Sequence, residues 1–270
     1  MSQFGEPDGE FRPHVDMDQD DTVAIATLTN PERRNAITFT MWQELEAFAH
    51  EVAETADISV VLFRGHGEVF SAGADVSDFD TDRSSAENTK AYDDQLERAC
   101  RAIEAIHQPT VARLEGPVVG AAAALAACCD LRVASEDAFL MVPAARLGLG
   151  FDPRAVARLA RFVGDGTARW MLITAGQLPA RRAFASGALH EVVEAGELDE
   201  AIERLVERLM ENAPLTIAAA KAALRATANA NEPALLERAW QLVEEANESH
   251  DYAEGRRAFE EKRPPRFLGR

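Results

Sequence analysis

Residues 116–130 read GPVVGAAAALAACCD, and this stretch decides the fold. Gly120 interrupts the apolar run, and the small helix formers after it read as the opening of a buried helix. From Ala121 to Ala127 no side chain can do chemistry. What the stretch offers instead is main chain. The N–H of Ala121, in the first turn of such a helix, has no acceptor within the helix and lies at the positive end of its dipole.

The flanking sequence sets this helix in an alternating pattern. Upstream, TVAIATLTN (22–30) alternates apolar and polar residues, as a strand that ends at Asn30-Pro31. TFTMWQELEAFAHEVAET (38–55) carries Met41, Leu45, Phe48 and Val52 at helical spacing, with Thr38 or Thr40 as cap. SVVLFRG (59–65) is a continuous apolar run stopped by glycine, the pattern of a strand buried on both faces. DRSSAENTKAYDD (82–94) is polar and reads as a mobile loop, with a helix predicted over 95–106.

Downstream, PTVARLEG (109–116) is a short strand, and DLRVASEDAFLMVP (130–143) holds two strand-like pieces around a polar turn. Strand and helix in alternation predict an α/β fold with crossover connections. Beyond Asp152 the pattern is helical over 153–163, 166–175, 179–186, 198–211, 214–228, 232–249 and 251–261. Three parts are therefore expected: a flexible acidic leader (1–20), an α/β core (21–200) and a helical C-terminal region (201–270).

Composition narrows the function classes. The 270 residues include 47% hydrophobic ones, ample for a sizeable core, and 28 basic against 46 acidic side chains give a net charge of −18. That balance argues against nucleic acid or an anionic membrane as partner. Three cysteines, two of them adjacent at 128 and 129, make no disulfide framework and read as small core residues. No run of roughly 18 apolar residues lacks both a charge and a breaker, so a cytoplasmic protein is expected. The six histidines show no metal-ligand spacing, no dinucleotide or phosphate-loop fingerprint occurs, and His66 in RGHG (64–67) reads as a loop residue.

Three segments need a common explanation: FSAGADV (70–76), GPVVGAAAALAACCD (116–130) and PAARLGLGFDPRAVARLARFVG (143–164). In the first, a strand ends among small residues that allow close approach to the backbone, and the N–H of Ala74 follows a glycine able to take φ > 0. With the N–H of Ala121, it makes two donors that could converge as an oxyanion hole. Together with NPERRNAI (30–37) and EGRRAFEEKRPPRFLG (254–269), these segments resemble the crotonase, or enoyl-CoA hydratase/isomerase, superfamily from about Asp21 to Arg270.

The resemblance implies a repeated ββα core with a helical trimerisation region, forming homotrimers or homohexamers. It implies an acyl-coenzyme A thioester as substrate, no separate cofactor and no metal, with the thioester oxygen held by the N–H groups of Ala74 and Ala121. It also places adenine near Ala72, the pantetheine and phosphates near Arg33 and Arg34, and Phe259 and Lys262 against coenzyme A from the same or a neighbouring subunit.

Two positions depart from the hydratase pattern. Where the family's hydratases carry two glutamates, this chain has Ala124 and Ala144, and neither methyl group can activate water. Asp152 instead matches the aspartate of the dienoyl-CoA and phenylacetate-pathway isomerases and of the 4-chlorobenzoyl-CoA dehalogenases. A carboxylate there could move one proton between two carbons, and burial is expected to raise its pKa. Asp152 followed by Pro153 is also a good helix start.

The dehalogenases add a histidine where this chain has Glu97, a possible second carboxylate of the acyl pocket or a member of a solvated helix face. Double-bond isomerisation with Asp152 as proton shuttle is the leading expectation. An atypical hydratase and a non-catalytic acyl-CoA binding protein are the alternatives.

Overall fold

In a computed structural model of the chain, residues 12–75 and 86–270 are described. A six-stranded sheet runs β1-β2-β3-β4-β6-β9, from β1 (His14–Asp20), β2 (Val23–Thr29), β3 (Val60–Gly65), β4 (Thr110–Leu114), β6 (Leu131–Ser135) and β9 (Glu191–Val193). β1 and β2 pair antiparallel, and every later neighbour is parallel. A smaller sheet joins β5 (Pro117–Val119), β7 (Phe139–Met141) and β8 (Leu178–Pro179).

The leader expected over 1–20 is corrected here, because its last seven residues form β1. The strand is an exposed, acidic edge in which only Val15 is buried, so hydrophobicity does not reveal it. Backbone pairing to β2 holds it, helped by the Val15 N–H donating to Glu44 at 2.8 Å and Thr29 Oγ1 donating to Asp16 at 2.5 Å. Residues 1–11 lie outside the described residues.

Side chains on the large sheet alternate between two cores, as strand geometry requires. Ala26, Val61, Phe63 and Ala112 face α1 (Phe39–Glu54), α2 (Ala86–Ala105) and α3 (Ala121–Cys128) in the main core. Ile25, Val60, Leu62 and Val111 face Leu198, Ala201 and Ile202 of α8 (Leu198–Met210) in the second. Burying each such aliphatic side chain contributes about 1.5–3 kcal/mol. The boundary expected between 200 and 201 therefore cuts through α8, which covers the back of the sheet.

Thr38 caps α1, accepting from the Met41 N–H at 3.2 Å. The loop expected over 82–94 is a helix from Ala86 onward, its first residues lying outside the described ones. A polar outer face hides the repeat, whose buried members include Tyr92, Gln95, Ala99, Cys100 and Ile103, and Lys90 pairs with Asp94 one turn on.

After β7 come α4 (Ala144–Leu147), α5 (Pro153–Val163), α6 (Asp165–Thr174) and α7 (Ala180–Ala185). The C-terminal part is α9 (Pro214–Ala228), α10 (Pro233–Glu248) and α11 (His250–Glu261). Lys221 of α9 fastens this part to the core by its bonds to the Asp130 carboxylate and the Gln108 carbonyl.

Candidate active site

The segment Phe70–Asp75 is threaded between two others and uses nearly all its amides doing so. The Ser71 N–H donates to Pro117 O at 3.1 Å, Ala72 N–H to Arg34 O at 2.9 Å, Gly73 N–H to Ser71 Oγ at 3.1 Å and Asp75 N–H to Ile37 O at 3.0 Å. Among the described residues, the Ala74 N–H meets no acceptor. Its direction is fixed by a parallel bridge to Ile37, whose own N–H donates to Gly73 O at 2.7 Å.

The second segment repeats the arrangement. The Val119 N–H donates to Ser71 O at 3.2 Å and the Gly120 N–H to Met141 O at 2.8 Å, while the Ala121 N–H, opening α3, meets no acceptor among the described residues. Gly120 turns the chain with φ 55° and ψ −111°, a conformation that favours glycine. Gly73, at φ +100°, brings the two segments together: a Cβ built on it would lie 3.7 Å from the Ala121 nitrogen. Both Ala74 and Ala121 line one cleft, about 810 Å³ including its open mouth.

At the far end of α3 sits Arg132, buried, donating from Nε to Ala188 O at 2.7 Å and from Nη1 to Ala126 O at 3.2 Å and to Cys129 O. A cation bonded to the last carbonyls of a helix complements the dipole whose positive end meets the cleft.

One side of the cleft is apolar, with Leu96, Leu147, Leu149 and Phe151 on its walls. Ala124 and Ala144 are both in this lining, at 8% and 6% exposure. Tyr92 closes one side, its hydroxyl accepting from Trp42 Nε1 at 3.1 Å. Tyr92 and Asp93 line the cleft from α2, and sequence reasoning missed both because their stretch reads as loop.

Asp152 lines the same cleft, with its side chain 17% exposed. It caps α5, accepting from the Arg154 N–H at 2.7 Å. Its two oxygens also accept from Arg154 Nε at 3.1 and 3.0 Å, and Oδ2 from Nη2 at 2.6 Å. The expectation of a raised pKa is corrected: the Arg154 guanidinium holds the Asp152 carboxyl below its ordinary value, outweighing burial.

Glu97 is also corrected as a pocket residue. Its carboxylate is bound by Arg158 Nη1 at 3.0 Å and Arg101 Nε at 2.9 Å, and it does not line the cleft.

Arg33 and Arg34 lie at the turn beside Ala72, exposed, with Arg33 Nη1 bonded to the buried Asp75 carboxylate at 3.1 Å. Phe259, at 86% exposure, and Lys262 belong to α11 and its C-cap and do not line the cleft of this chain.

The sequence pattern of the enoyl-CoA hydratase/isomerase family matches residues 18–270. The chain belongs to that family. Among its relatives, the Mycobacterium tuberculosis protein named "Probable enoyl-CoA hydratase echA6" is 34% identical over 259 residues, spanning 94% of this chain and 99% of that protein. The Escherichia coli methylmalonyl-CoA decarboxylase is 32% identical over 207 residues, 75% of this chain and 77% of that one. Among solved structures, an enoyl-CoA hydratase/carnithine racemase from Magnetospirillum magneticum superposes with a TM-score of 0.86 at 30% identity, covering 95% of this chain and 96% of that one. The fold is accordingly the crotonase fold, an α/β core with a helical C-terminal region, and the protein is an enzyme of the hydratase/isomerase family. No described helix is long and apolar enough to cross a membrane.

Proposed function

We propose that the protein isomerises the double bond of an enoyl-coenzyme A thioester. The observation that carries this reading is Asp152, a carboxylate on the wall of the cleft that also holds two amides unpartnered among the described residues, with methyl groups at 124 and 144. The Ala74 and Ala121 N–H groups receive the thioester oxygen. As a proton leaves the α carbon of a 3-enoyl thioester, charge develops on that oxygen, and two preorganised donors stabilise it. Asp152 takes that proton and returns it to the γ carbon, leaving the double bond between the α and β carbons, so one base does both transfers and no water is activated. Coenzyme A extends past Ala72 toward Arg33 and Arg34, whose charge offsets the acidity of the rest of the protein, with Phe259 and Lys262 of the same or a neighbouring subunit against it. The thioester needs no cofactor or metal.

The names of the relatives favour a second reading, hydration. Against it stand Ala124 and Ala144, which leave no carboxylate at the two positions where hydratases hold water. The deciding experiment offers a 3-enoyl-CoA and a 2-enoyl-CoA separately, in deuterated water, to wild type and to Asp152→Asn. Isomerisation predicts that the 3-enoyl thioester is converted with deuterium uptake and without 3-hydroxyacyl product, and that the variant loses this. Formation of 3-hydroxyacyl-CoA would replace isomerisation by hydration. Binding of both thioesters with neither exchange nor turnover would make the protein an acyl-CoA binder.

A further inference from the structure

Arg154 occupies a position between two carboxylates of different helices. From the first turn of α5 its Nε reaches both oxygens of Asp152, and its Nη2 lies 2.6 Å from Asp152 Oδ2 and 3.0 Å from Asp94 Oδ1 on α2. Asp94 is itself paired with Lys90 one turn earlier. The result is a chain of four alternating charges, Lys90, Asp94, Arg154 and Asp152, running from the surface of α2 to the cleft wall.

We infer that Arg154 is a positioning residue for Asp152, fixing the orientation of its carboxylate in the cleft and setting its basicity in competition with Asp94. The inference rests on the reading of Asp152 as the base. Three contacts from one planar guanidinium leave the Asp152 carboxylate a single orientation, which a lone N-cap bond from the Arg154 N–H would not impose. The shared Nη2 makes the two aspartates rivals for the same donor.

Among the described residues, the charged groups acting on Asp152 are Arg154 on its own helix and Asp94 on α2, with Asp93 on the same cleft wall, Lys90 paired to Asp94 and Glu97 acting on Arg154 from one turn further along α2. Leu149, Phe151 and Ala155 complete this side of the cleft. Arg154 holds the Asp152 carboxyl down, and Asp94 opposes it. Removing each partner should therefore move Asp152 in opposite directions, which a purely structural role for Arg154 would not produce.

The test is a pH titration of the Asp152 carboxyl carbon by NMR in the full-length protein, the resonance being assigned from its absence in Asp152→Asn. Arg154→Gln is expected to raise the midpoint and Asp94→Asn to lower it. Arg154→Lys, which keeps the charge but loses the fork, is expected to fall between wild type and Arg154→Gln. Arg154 is 42% exposed, so these variants should retain the fold. An Asp152 midpoint unmoved in Arg154→Gln, or moved the same way in Asp94→Asn, would overturn the inference. The acid limb of kcat/KM on a 3-enoyl-CoA should follow the same order. If wild type turns over no such thioester, isomerisation fails, while the NMR midpoints still decide the part played by Arg154.

Discussion

A methyl group on Gly73 would sit 2.5 Å from the carbonyl oxygen of Val119. That contact lies between the two segments that present the Ala74 and Ala121 amides, and no flexible side chain is there to yield. Gly73→Ala must push the segments apart or rotate the Ala74 N–H, and it must also hold φ near +100° at a strain of about 1–3 kcal/mol. The expected result is a fall in turnover of roughly 10²–10³, the cost of one oxyanion donor, with a lowered thermal midpoint. A variant as active as wild type would show that the two amides do not act together.

His190 makes stability depend on pH. Its Nδ1 accepts the Arg132 N–H at 3.1 Å, which requires the neutral ring. Burial, then the Arg132 charge, holds its pKa below the ordinary 6.5. As pH falls through 6.5 the unfolded chain takes up a proton that the folded one refuses, so stability is lost between that value and the folded one. Thermal midpoints measured from about pH 7.5 down to about pH 5.5 should decline, and the decline should be shallower in His190→Gln.

Two carboxylates of α11 strap down the C-terminal tail. Asp251 accepts the N–H groups of Leu268 and Gly269, each at 2.7 Å, and Glu254 accepts from Arg263 at 2.6 Å, from Arg257 and from the Arg266 N–H at 3.0 Å. Hydrogen bonds from Arg263, then Arg257, hold the Glu254 carboxyl far below its ordinary 4.5. Its contribution is therefore in place above 4.5 and is lost only as pH falls through the lowered folded value. Hydrogen exchange at the Arg266 amide should be several-fold faster in Glu254→Gln, and in wild type it should show no loss of protection near pH 4.5.

Sequence and structure agree most where burial is two-sided or periodic. SVVLFRG became β3 because Val60, Val61, Leu62 and Phe63 are all buried, and the helices after Asp152 lie within two residues of their expected bounds. What escaped were β1, whose pairing is backbone and whose side chains are exposed, and the short strands β5, β8 and β9, two or three residues each. Strands so short carry no period to read. At the site, the positions of Ala74, Ala121 and Asp152 were legible from spacing and resemblance. The guanidinium of Arg154 that reverses the expected pKa of Asp152 was not, because whether a neighbour two residues away folds back onto a carboxylate depends on the cap geometry. Glu97 failed for a related reason: its spacing allowed the cleft, and two arginines claimed it.

The helix quoted first, all alanine, leucine and cysteine, contributes to the cleft through an amide hydrogen that nearly every residue type carries. A donor of that kind cannot be deleted by exchanging one side chain for another, proline excepted; it can only be moved by bending the chain that holds it. The aim of the two amides into the cleft is thus stored in the course of the backbone, at Gly73 and Gly120, and the side chains along the wall at 124, 144 and 152 can be exchanged without moving it.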